Sequence, residues 1–432
     1  MSRTIRIAAL QLTAHDRNDY ERLRASLFER VAAAARAHDL LVLPEGTFPA
    51  YVLGDPSVDE RLLADVETRL ARIAREHTCV IVAGAAARRG EALFNSAIVI
   101  DRDGTLAGSA EKIFLWHFDR QWFAPGERIA PVQTAVGNLG VLVCADGRMP
   151  GIARALVDGG AEMLVMPTAW VTSGRDPEQL ENIQADLLGR VRAFENGVPF
   201  VAANKCGIEL CMVAYCGKSQ IVTASGEIAA IGSQTGEEVV SAQIVAGAPA
   251  PHRSAAGTVR ARTANADRSL RVAFSPDPLP ADIGERLRVL EADLALAADG
   301  RDDFPILDAA LPTARIDAAA AFDPGTLVRY RRAGYRAAVL TSNAPQPWLE
   351  RIARSRAAEL KLYVVVFDRA ARRAYAIDPD GVVIAGSFDS FALPNFVLDP
   401  RRTEQTLVAP GTDVAAGVER VEALTRATAG IP

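Results

Sequence analysis

The sequence predicts an α/β fold in which helices cover the strands of a sheet. Through the first 245 residues, short apolar runs alternate with longer segments of helical periodicity. The apolar runs are continuous rather than alternating, which is typical of strands buried on both faces. With 432 residues, the chain is long enough for two or three domains of about 150 residues each.

The strands and helices can be placed in chain order from these patterns. Strands are expected at 5–12, 40–43, 80–85, 94–100, 139–144, 163–166, 200–203 and 220–223. Helices are expected at 19–37, 57–76, 152–158 and 178–195. Ser57 is in a position to cap the second helix, and Pro150 is in a position to open the third.

The pattern is interrupted at residues 246–268, which are rich in Ala, Gly, Pro and Arg and are interpreted as a linker or surface arm. Beyond them, four segments resemble earlier ones in the same order, which favours a degenerate internal repeat over chance similarity of α/β segments. The pairs are 270–276 with 5–11, 293–300 with 39–46, 324–343 with 150–169, and 374–387 with 219–233. We therefore predict a first domain at 1–245 and a shortened copy at 269–432.

Composition excludes several functional classes. The net charge is −5 and no long basic run is present, so the electrostatic signature of a nucleic-acid-binding protein is missing. No apolar run reaches about 18 residues, so no membrane span is expected. Five cysteines do not form an even disulfide framework, and the N-terminus reads as a strand, not a signal peptide. A soluble cytoplasmic protein is expected.

Three residues in the first domain carry the groups that acyl transfer needs. Glu45 follows a buried strand in LVLPEGTFPAY, Lys112 lies among aromatic residues in SAEKIFLWHFDRQWFAPG, and Cys144 ends an apolar strand in GNLGVLVCADGRMPG. A thiolate is the nucleophile, a shielded Glu can act as general base, and an ammonium with a backbone N–H can stabilise the oxyanion. Backbone dipoles at Cys144 would favour the thiolate.

Each residue alone has a simpler explanation. Cys144 could be a small core residue, Glu45 could cap a helix, and Lys112 could pair with Glu111. Against this, lysine occurs only at positions 112, 205, 218 and 361, while arginine is common. A chain that avoids lysine this strongly makes each remaining lysine a candidate functional group.

Together, the three segments resemble the motifs of the carbon–nitrogen hydrolase (nitrilase) superfamily, in the family's order and over about residues 5–245. The resemblance implies a four-layer αββα sandwich, often paired through helix faces. It also implies Glu45 as general base, Lys112 as oxyanion stabiliser and Cys144 as nucleophile, without metal or cofactor. The reaction would pass through a thioester acyl-enzyme.

Two departures from the family's pattern narrow the function. Many members have a second Glu after the catalytic Lys, whereas this chain has the shorter Asp119, an accessory acid whose role is open. The nucleophile is followed by Ala145 and Asp146, as in the amidase and carbamoylase branches, so an amide or N-carbamoyl substrate is favoured over a nitrile. Nitrile hydrolysis, acyl transfer to an amine, and an inactive binding protein remain alternatives.

Substrate-binding residues are predicted around the three catalytic candidates. Arg148 could hold a substrate carboxylate through its bidentate fork, or pair with Asp146 or Asp119. His117 is expected to belong to the packing or rim of its segment. The predicted pocket residues are Tyr51, Ala145, Arg148, Thr168 and Trp170.

Other features are weaker. Cys206, Cys211 and Cys216 are spaced C-x4-C-x4-C, but structural zinc sites favour two-residue spacings and a fourth ligand, so no metal is predicted. In the second half, Asp299 falls at the position of Glu45 and Ala318 at that of Cys144, and no counterpart of the Lys112 segment is found. We expect this half to be non-catalytic and to form an internal pseudo-dimer with the first, while further self-association is left open.

Overall fold

The structure of the chain, a computed structural model, describes residues 3–55, 57–172, 180–247, 259–263, 268–300, 302–387 and 393–428. The chain divides into two compact units. The first comprises Met1–His252, Ala409–Thr412 and Ala416–Pro432, and the second Arg253–Val408 and Asp413–Ala415. Of the predicted linker 246–268, residues 248–258 and 264–267 lie outside the described residues.

Fourteen strands are described in the first unit. They are β1 (Arg3–Thr13), β2 (Leu40–Val42), β3 (Val80–Arg89), β4 (Ala92–Ile100), β5 (Leu106–Glu111), β6 (Val132–Thr134), β7 (Gly137–Val141), β8 (Met163–Pro167), β9 (Phe200–Ala203), β10 (Lys205–Glu209), β11 (Val213–Cys216), β12 (Gln220–Val222), β13 (Ile228–Ile231) and β14 (Glu238–Ala246). One sheet has the order β11-β10-β1-β2-β3-β4-β5, with β14 also paired to β1, and the other has the order β13-β12-β9-β8-β7-β6.

Helices cover the outer face of each sheet. They are α1 (Tyr20–Ala35), α2 (Glu60–His77), α3 (Pro150–Asp158) and α4 (Gly189–Asn196), the last preceded by a π-helical turn at Gln184–Leu188. Helices α1 and α2 pack on the larger sheet, α3 and α4 pack on the smaller one, and β2 and β3 face β8 and β9 across the centre. The expected four-layer αββα sandwich is therefore confirmed in this unit.

The start of α2 differs from the prediction. Ser57 does not cap this helix, because its hydroxyl donates to Asp55 instead. Asp59 is the cap, and its carboxylate accepts the N–H of Arg61 at 2.8 Å. Asp and Ser are both favoured at the N-cap of a helix. Here Asp59 is adjacent to the first turn of α2, so its side chain accepts one of the unpaired backbone N–H groups there. The predicted helix 178–195 begins partly outside the described residues, at 178 and 179.

The remaining elements follow the first unit along the chain. The strands are β15 (Leu270–Ser275), β16 (Leu294–Ala297), β17 (Thr313–Asp317), β18 (Ala337–Ser342), β19 (Tyr363–Asp368), β20 (Arg373–Ile377), β21 (Val383–Ser387), β22 (Asn395–Leu398), β23 (Leu407–Ala409) and β24 (Thr412–Asp413). The helices are α5 (Ile283–Val289), α6 (Phe304–Ala310), α7 (Pro324–Arg332), α8 (Leu349–Leu360), α9 (Pro400–Glu404) and α10 (Val414–Thr428).

Strand pairing in the second unit follows that of the first. Strand β15 pairs with β16 in parallel and with β22 antiparallel, as β1 does with β2 and β14. The series β17-β18-β19-β20-β21 has the same sequence of parallel and antiparallel pairings as β7-β8-β9-β12-β13. These are the pairings that a shortened copy of the first unit would have. No helix of the described residues is long and apolar enough to cross a membrane.

Candidate active site

The structure brings the three predicted catalytic residues together inside the first unit. Glu45 follows β2, Lys112 follows β5, and Cys144 begins a short 3-10 helix, Cys144–Arg148, after β7. Glu45 and Lys112 are 0 % exposed and Cys144 is 5 % exposed. Three groups distant in sequence therefore share one water-shielded site, where electrostatic interactions are strong.

The Lys112 ammonium lies between two carboxylates. Its Nζ is 2.7 Å from Oε1 of Glu45 and 2.6 Å from Oδ2 of Asp119, and all three side chains are fully buried. Burial alone would lower the pKa of Lys112, but Asp119 and Glu45 more than reverse this and raise it well above its usual value. The side chain is therefore a fixed positive charge.

Asn95, on β4, holds Glu45 and was not identified from the sequence. Its Nδ2 donates to Oε1 of Glu45 at 2.7 Å, and its backbone carbonyl accepts the N–H of Lys112 at 2.8 Å. Oε2 of Glu45 has no hydrogen-bond partner among the described residues, which leaves it available for a proton. The nearby Gly84 must lack a side chain, since a Cβ there would lie 2.5 Å from Cα of Glu45. A polar residue within the apolar run of β4 was the available signal for Asn95.

Asp119 lies on a second 3-10 helix, His117–Gln121. Its Oδ2 accepts the N–H of Trp116 at 2.9 Å as well as the Lys112 ion pair. The side chain is one methylene shorter than Glu, yet it reaches the ammonium directly. His117 is exposed, and its ring contacts Phe118 edge-on.

Cys144 has a backbone conformation that side chains other than glycine rarely adopt, with φ at +47°. Burial, followed by the charge of Glu45, raises the pKa of its thiol, while Lys112, Thr168 and the backbone at Ala169 lower it. The net effect is a raised pKa of the Cys144 thiol. Desolvation therefore outweighs the backbone dipoles that were expected to favour the thiolate.

Asp146 stabilises the backbone around the nucleophile. Its Oδ1 accepts the N–H groups of Phe114 at 2.8 Å and Ile113 at 3.0 Å, and its Oδ2 accepts that of Val143 at 3.1 Å. Burial raises the pKa of Asp146 to about 7 against these three donors. The carboxylate thus joins the lysine segment to the nucleophile segment and does not pair with Arg148.

Arg192, on α4, supports the nucleophile turn from the other side and was also not identified from the sequence. Its Nε donates to the carbonyl of Gly147 at 2.9 Å, and its guanidinium pairs with Glu195. Both side chains are fully buried. A buried ion pair is tolerated when its hydrogen bonds are satisfied, as they are here.

Arg148 pairs with neither Asp146 nor Asp119, the two partners considered from the sequence. Its guanidinium lies over the ring of Trp116, 4.8 Å from the centroid, and Nε has no partner among the described residues. Burial lowers the pKa of Arg148 to about 10, and negative charge at Cys144 would raise it. Both oxygens of Asp146 and Oδ2 of Asp119 accept from other donors, whereas Oδ1 of Asp119 has no partner among the described residues.

Tyr51 is buried beside the ammonium, with its ring centroid 5.6 Å from Nζ of Lys112 and 5.8 Å from Nζ of Lys205. The other predicted pocket residues, Ala145, Thr168 and Trp170, are all buried in the same unit. Hydrogen-bonding atoms of Tyr51, Thr168 and Trp170 (Oη, Oγ1 and Nε1) lack a nitrogen or oxygen partner among the described residues. Such atoms are available to a bound ligand.

A second buried ion pair, Lys205 with Glu209, fixes the segment that carries Tyr51 and was missed from the sequence. Glu209 accepts the N–H of Val52 at 2.7 Å through Oε1. Its Oε2 accepts from Tyr215 Oη at 2.8 Å and from Lys205 at 3.1 Å. The scarcity of lysine was a signal for Lys205, but nothing in the sequence identified its partner.

The three clustered cysteines do not form a ligand set. Cys206 and Cys216 are buried and lie opposite each other on β10 and β11, whereas Cys211 is exposed at the turn between them. Across the described part of the chain, no group of His, Cys, Asp and Glu side chains is arranged to hold a metal ion.

Comparison with known proteins identifies a family that matches the first unit. Residues 6–249 match the carbon-nitrogen hydrolase family. A probable nitrilase of Schizosaccharomyces pombe is 32% identical over 154 residues, which are 36% of this chain and 54% of that protein. An N-carbamoylputrescine amidase of Arabidopsis thaliana is 33% identical over 190 residues, which are 40% of this chain and 62% of that protein.

A solved structure shares the fold. The crystal structure of an amidase from Nesterenkonia sp. has a TM-score of 0.50 and 27% sequence identity, and the match covers 55% of this chain and 89% of that one. The chain spans about half the length of the first curated relative it matches.

Asn95→Ala should lower kcat by about tenfold or more, because a hydrogen bond to a charged group contributes roughly 1.5–3 kcal/mol. Steady-state kinetics of the purified variant measure this. Ser96→Ala is the matched control, since Ser96 is equally buried on the same strand and its hydroxyl has no partner among the described residues. Equal kinetics for the two variants would contradict the role of Asn95.

The raised pKa of Cys144 predicts how its alkylation depends on pH. A raised thiol pKa reduces the thiolate fraction at every pH below it, so the rate should rise by about tenfold per pH unit up to about pH 10 without levelling. Peptide-resolved mass spectrometry after iodoacetamide treatment separates Cys144 from the other four thiols. A plateau below about pH 8.5 would show that the thiol is activated in the resting state.

Proposed function

Because the chain belongs to the carbon–nitrogen hydrolase family, we propose that its first unit is a thiol amidohydrolase. It cleaves the linear, non-peptide C–N bond of a small amide or N-carbamoyl compound and releases ammonia or an amine. The observation that carries this proposal is the buried cluster in which Lys112 contacts Glu45 while both act electrostatically on Cys144.

In the first half of the reaction, Cys144 Sγ attacks the carbonyl carbon and its proton passes to Oε2 of Glu45, the oxygen left unpaired. Negative charge then develops on the carbonyl oxygen, where the ammonium of Lys112 stabilises it. The N–H of Ala145, in the first turn of the 3-10 helix, is the second donor. When the C–N bond breaks, Glu45 returns the proton to the leaving nitrogen and a thioester remains.

In the second half, water replaces the departed amine. Glu45 removes a proton from this water, the resulting hydroxide attacks the thioester carbon, and Lys112 again stabilises the oxyanion. Collapse of the intermediate breaks the C–S bond, and the thiol recovers its proton from Glu45. Asp119 keeps Lys112 charged and aimed throughout, which is the role we propose for it as the accessory acid.

We propose that Arg148 binds a carboxylate of the substrate. Its guanidinium is desolvated, stacked on Trp116 and without a carboxylate partner among the described residues. The side chain is partly buried and its Nε has no partner among the described residues, and a ligand anion would supply the missing charge-assisted hydrogen bond. The proposed substrate is therefore an amide or N-carbamoyl compound that carries a carboxylate, enclosed by Tyr51, Thr168 and Trp170.

We propose that the second unit is a non-catalytic, shortened copy of the first. Ala318 begins its 3-10 helix Ala318–Phe322 before α7, as Cys144 begins that before α3. The fully buried Arg356 donates through Nε to the carbonyl of Ala321 at 3.1 Å and pairs with Glu359 at 2.8 Å, which repeats the Arg192 arrangement. The pseudo-dimer expected from the sequence stays a prediction.

An ammonia-release screen tests the function. Small amides, N-carbamoyl compounds and nitriles are compared in wild type and Cys144→Ala, with Cys79→Ala as a buried-thiol control far from the cluster in sequence. Amide or N-carbamoyl turnover that Cys144→Ala abolishes supports the proposal and leaves the second unit without activity of its own. Nitrile turnover without amide turnover would favour a nitrilase, and activity in Cys144→Ala would remove the mechanism.

Arg148→Gln should raise KM for a carboxylate-bearing amide by about tenfold to a hundredfold, while KM for a neutral amide of similar size changes less than about threefold. Steady-state kinetics on the two substrates measure the difference. Arg190→Gln is the control, because Arg190 pairs with Glu227 and donates to the carbonyl of Gly226. A similar change in KM for both substrates would mean that Arg148 supports the fold and does not bind the substrate carboxylate.

A further inference from the structure

The C-terminal helix α10 belongs to the first unit from Ala416 onward, although it follows the second unit along the chain. Thr412, two residues before this helix, also belongs to the first unit and is fully buried. We call Thr412 together with residues 416–421 the C-terminal clamp. The prediction from the sequence assigned all of 269–432 to the second domain, because a helix that follows a domain in sequence is normally part of it.

Two hydrogen bonds join the clamp to the segment that carries the catalytic lysine. The N–H of His117 donates to Oγ1 of Thr412 at 2.7 Å. Nη2 of Arg420 donates to the carbonyl of Gly126 at 2.8 Å. Each bond joins a clamp side chain to a backbone group of the loop at residues 112–126. The two bonds therefore fix the path of this loop independently of its side chains.

These two hydrogen bonds lie where the loop contacts Lys112 and where the 3-10 helix that carries Asp119 begins. The N–H of Gly126 donates to the carbonyl of Lys112 at 2.8 Å, which closes the loop on the lysine itself. His117 is the first residue of the 3-10 helix that carries Asp119. The clamp therefore holds the loop where it returns to Lys112 and where it turns toward Asp119, the two groups that form the 2.6 Å ion pair.

Close packing accompanies the hydrogen bonds. A Cβ at Gly417 would lie 2.6 Å from Cε2 of Phe114 and 3.0 Å from Sδ of Met149, so the helix approaches both segments as closely as backbone allows. Phe114 is two residues after Lys112, and Met149 follows the nucleophile turn. Val421, which is 3 % exposed, packs against Gly151 at the start of α3.

We propose that the C-terminal clamp is a positioning element of the active site, in which Thr412 and Arg420 hold the loop that places Lys112 and Asp119. The catalytic unit is then incomplete without the last part of the chain. Oxyanion stabilisation depends on an ammonium that is already in place, and a displacement of about 1 Å costs up to a hundredfold in rate. This inference rests on the role proposed above for Lys112, but not on the identity of the substrate.

Alkylation of Cys144 tests the clamp without a substrate. Lys112 lowers the pKa of the Cys144 thiol, so loosening the ammonium should raise that pKa further and slow alkylation by iodoacetamide at a fixed pH. Arg420→Ala and Thr412→Val should each slow it by about threefold to tenfold at pH 9, and should lower kcat by about tenfold with a smaller change in KM. Arg420→Lys should recover part of both losses, because it restores a donor.

Arg426→Ala is the matched control. Arg426 is an exposed arginine on the same helix, six residues after Arg420. The Arg426→Ala variant should therefore show the wild-type alkylation rate of Cys144 and the wild-type kcat. Thr412→Val removes one hydroxyl at nearly constant volume, so it tests the clamp even if Arg420→Ala does not fold. The proposal fails if both variants lower the thermal midpoint but leave the alkylation rate and kcat at the Arg426→Ala values. Slowed alkylation in a protein that turns over no amide would instead contradict the proposed function alone.

Discussion

The site depends on one interaction, the burial of the Lys112 ammonium between the carboxylates of Glu45 and Asp119. Removing either partner of a buried ion pair costs about 3–5 kcal/mol, because a charge is then left without compensation. The three side chains together carry one net negative charge, which disfavours a second anion nearby. Burial and the charge of Glu45 raise the pKa of the Cys144 thiol. The cluster also gives the thiol proton and the developing oxyanion charge defined destinations.

The three charges can be held together only because other buried polar groups fix the backbone that bears them. Asn95 joins the base to the lysine, Asp146 joins the lysine segment to the nucleophile, and Arg192 supports the nucleophile turn. Closing loops between positions so distant in sequence costs conformational entropy, which the αββα core repays through apolar burial. The core brings the strand ends near one another, and the polar bridges set the final geometry.

The αββα architecture followed from the resemblance of three segments to the motifs of the family. The sequence itself was sufficient for the residues of the cluster, since the strand–Glu, Lys–aromatic and strand–Cys segments each combine a residue type with a recognisable flank. It was insufficient for Asn95, Arg192 and Glu209. Each of these is a polar residue within an otherwise ordinary strand or helix, and its partner is far away along the chain. For the same reason the pairing of Arg148 with Asp146 was wrong, because backbone amides of a distant segment already occupy that carboxylate.

A comparison of the two units distinguishes residues that stabilise a turn from residues that the proposed chemistry needs. The second unit keeps a buried Arg–Glu pair whose Nε–H binds the carbonyl of a 3-10 turn, with Arg356 and Glu359 in the places of Arg192 and Glu195. In the described part of this unit, the residue that begins the turn is Ala318, and Asp299 is exposed. An Arg–Glu pair that holds a turn beginning with alanine serves the fold of that turn, whereas two buried carboxylates around one ammonium are costly and are explained by the proposed acyl transfer.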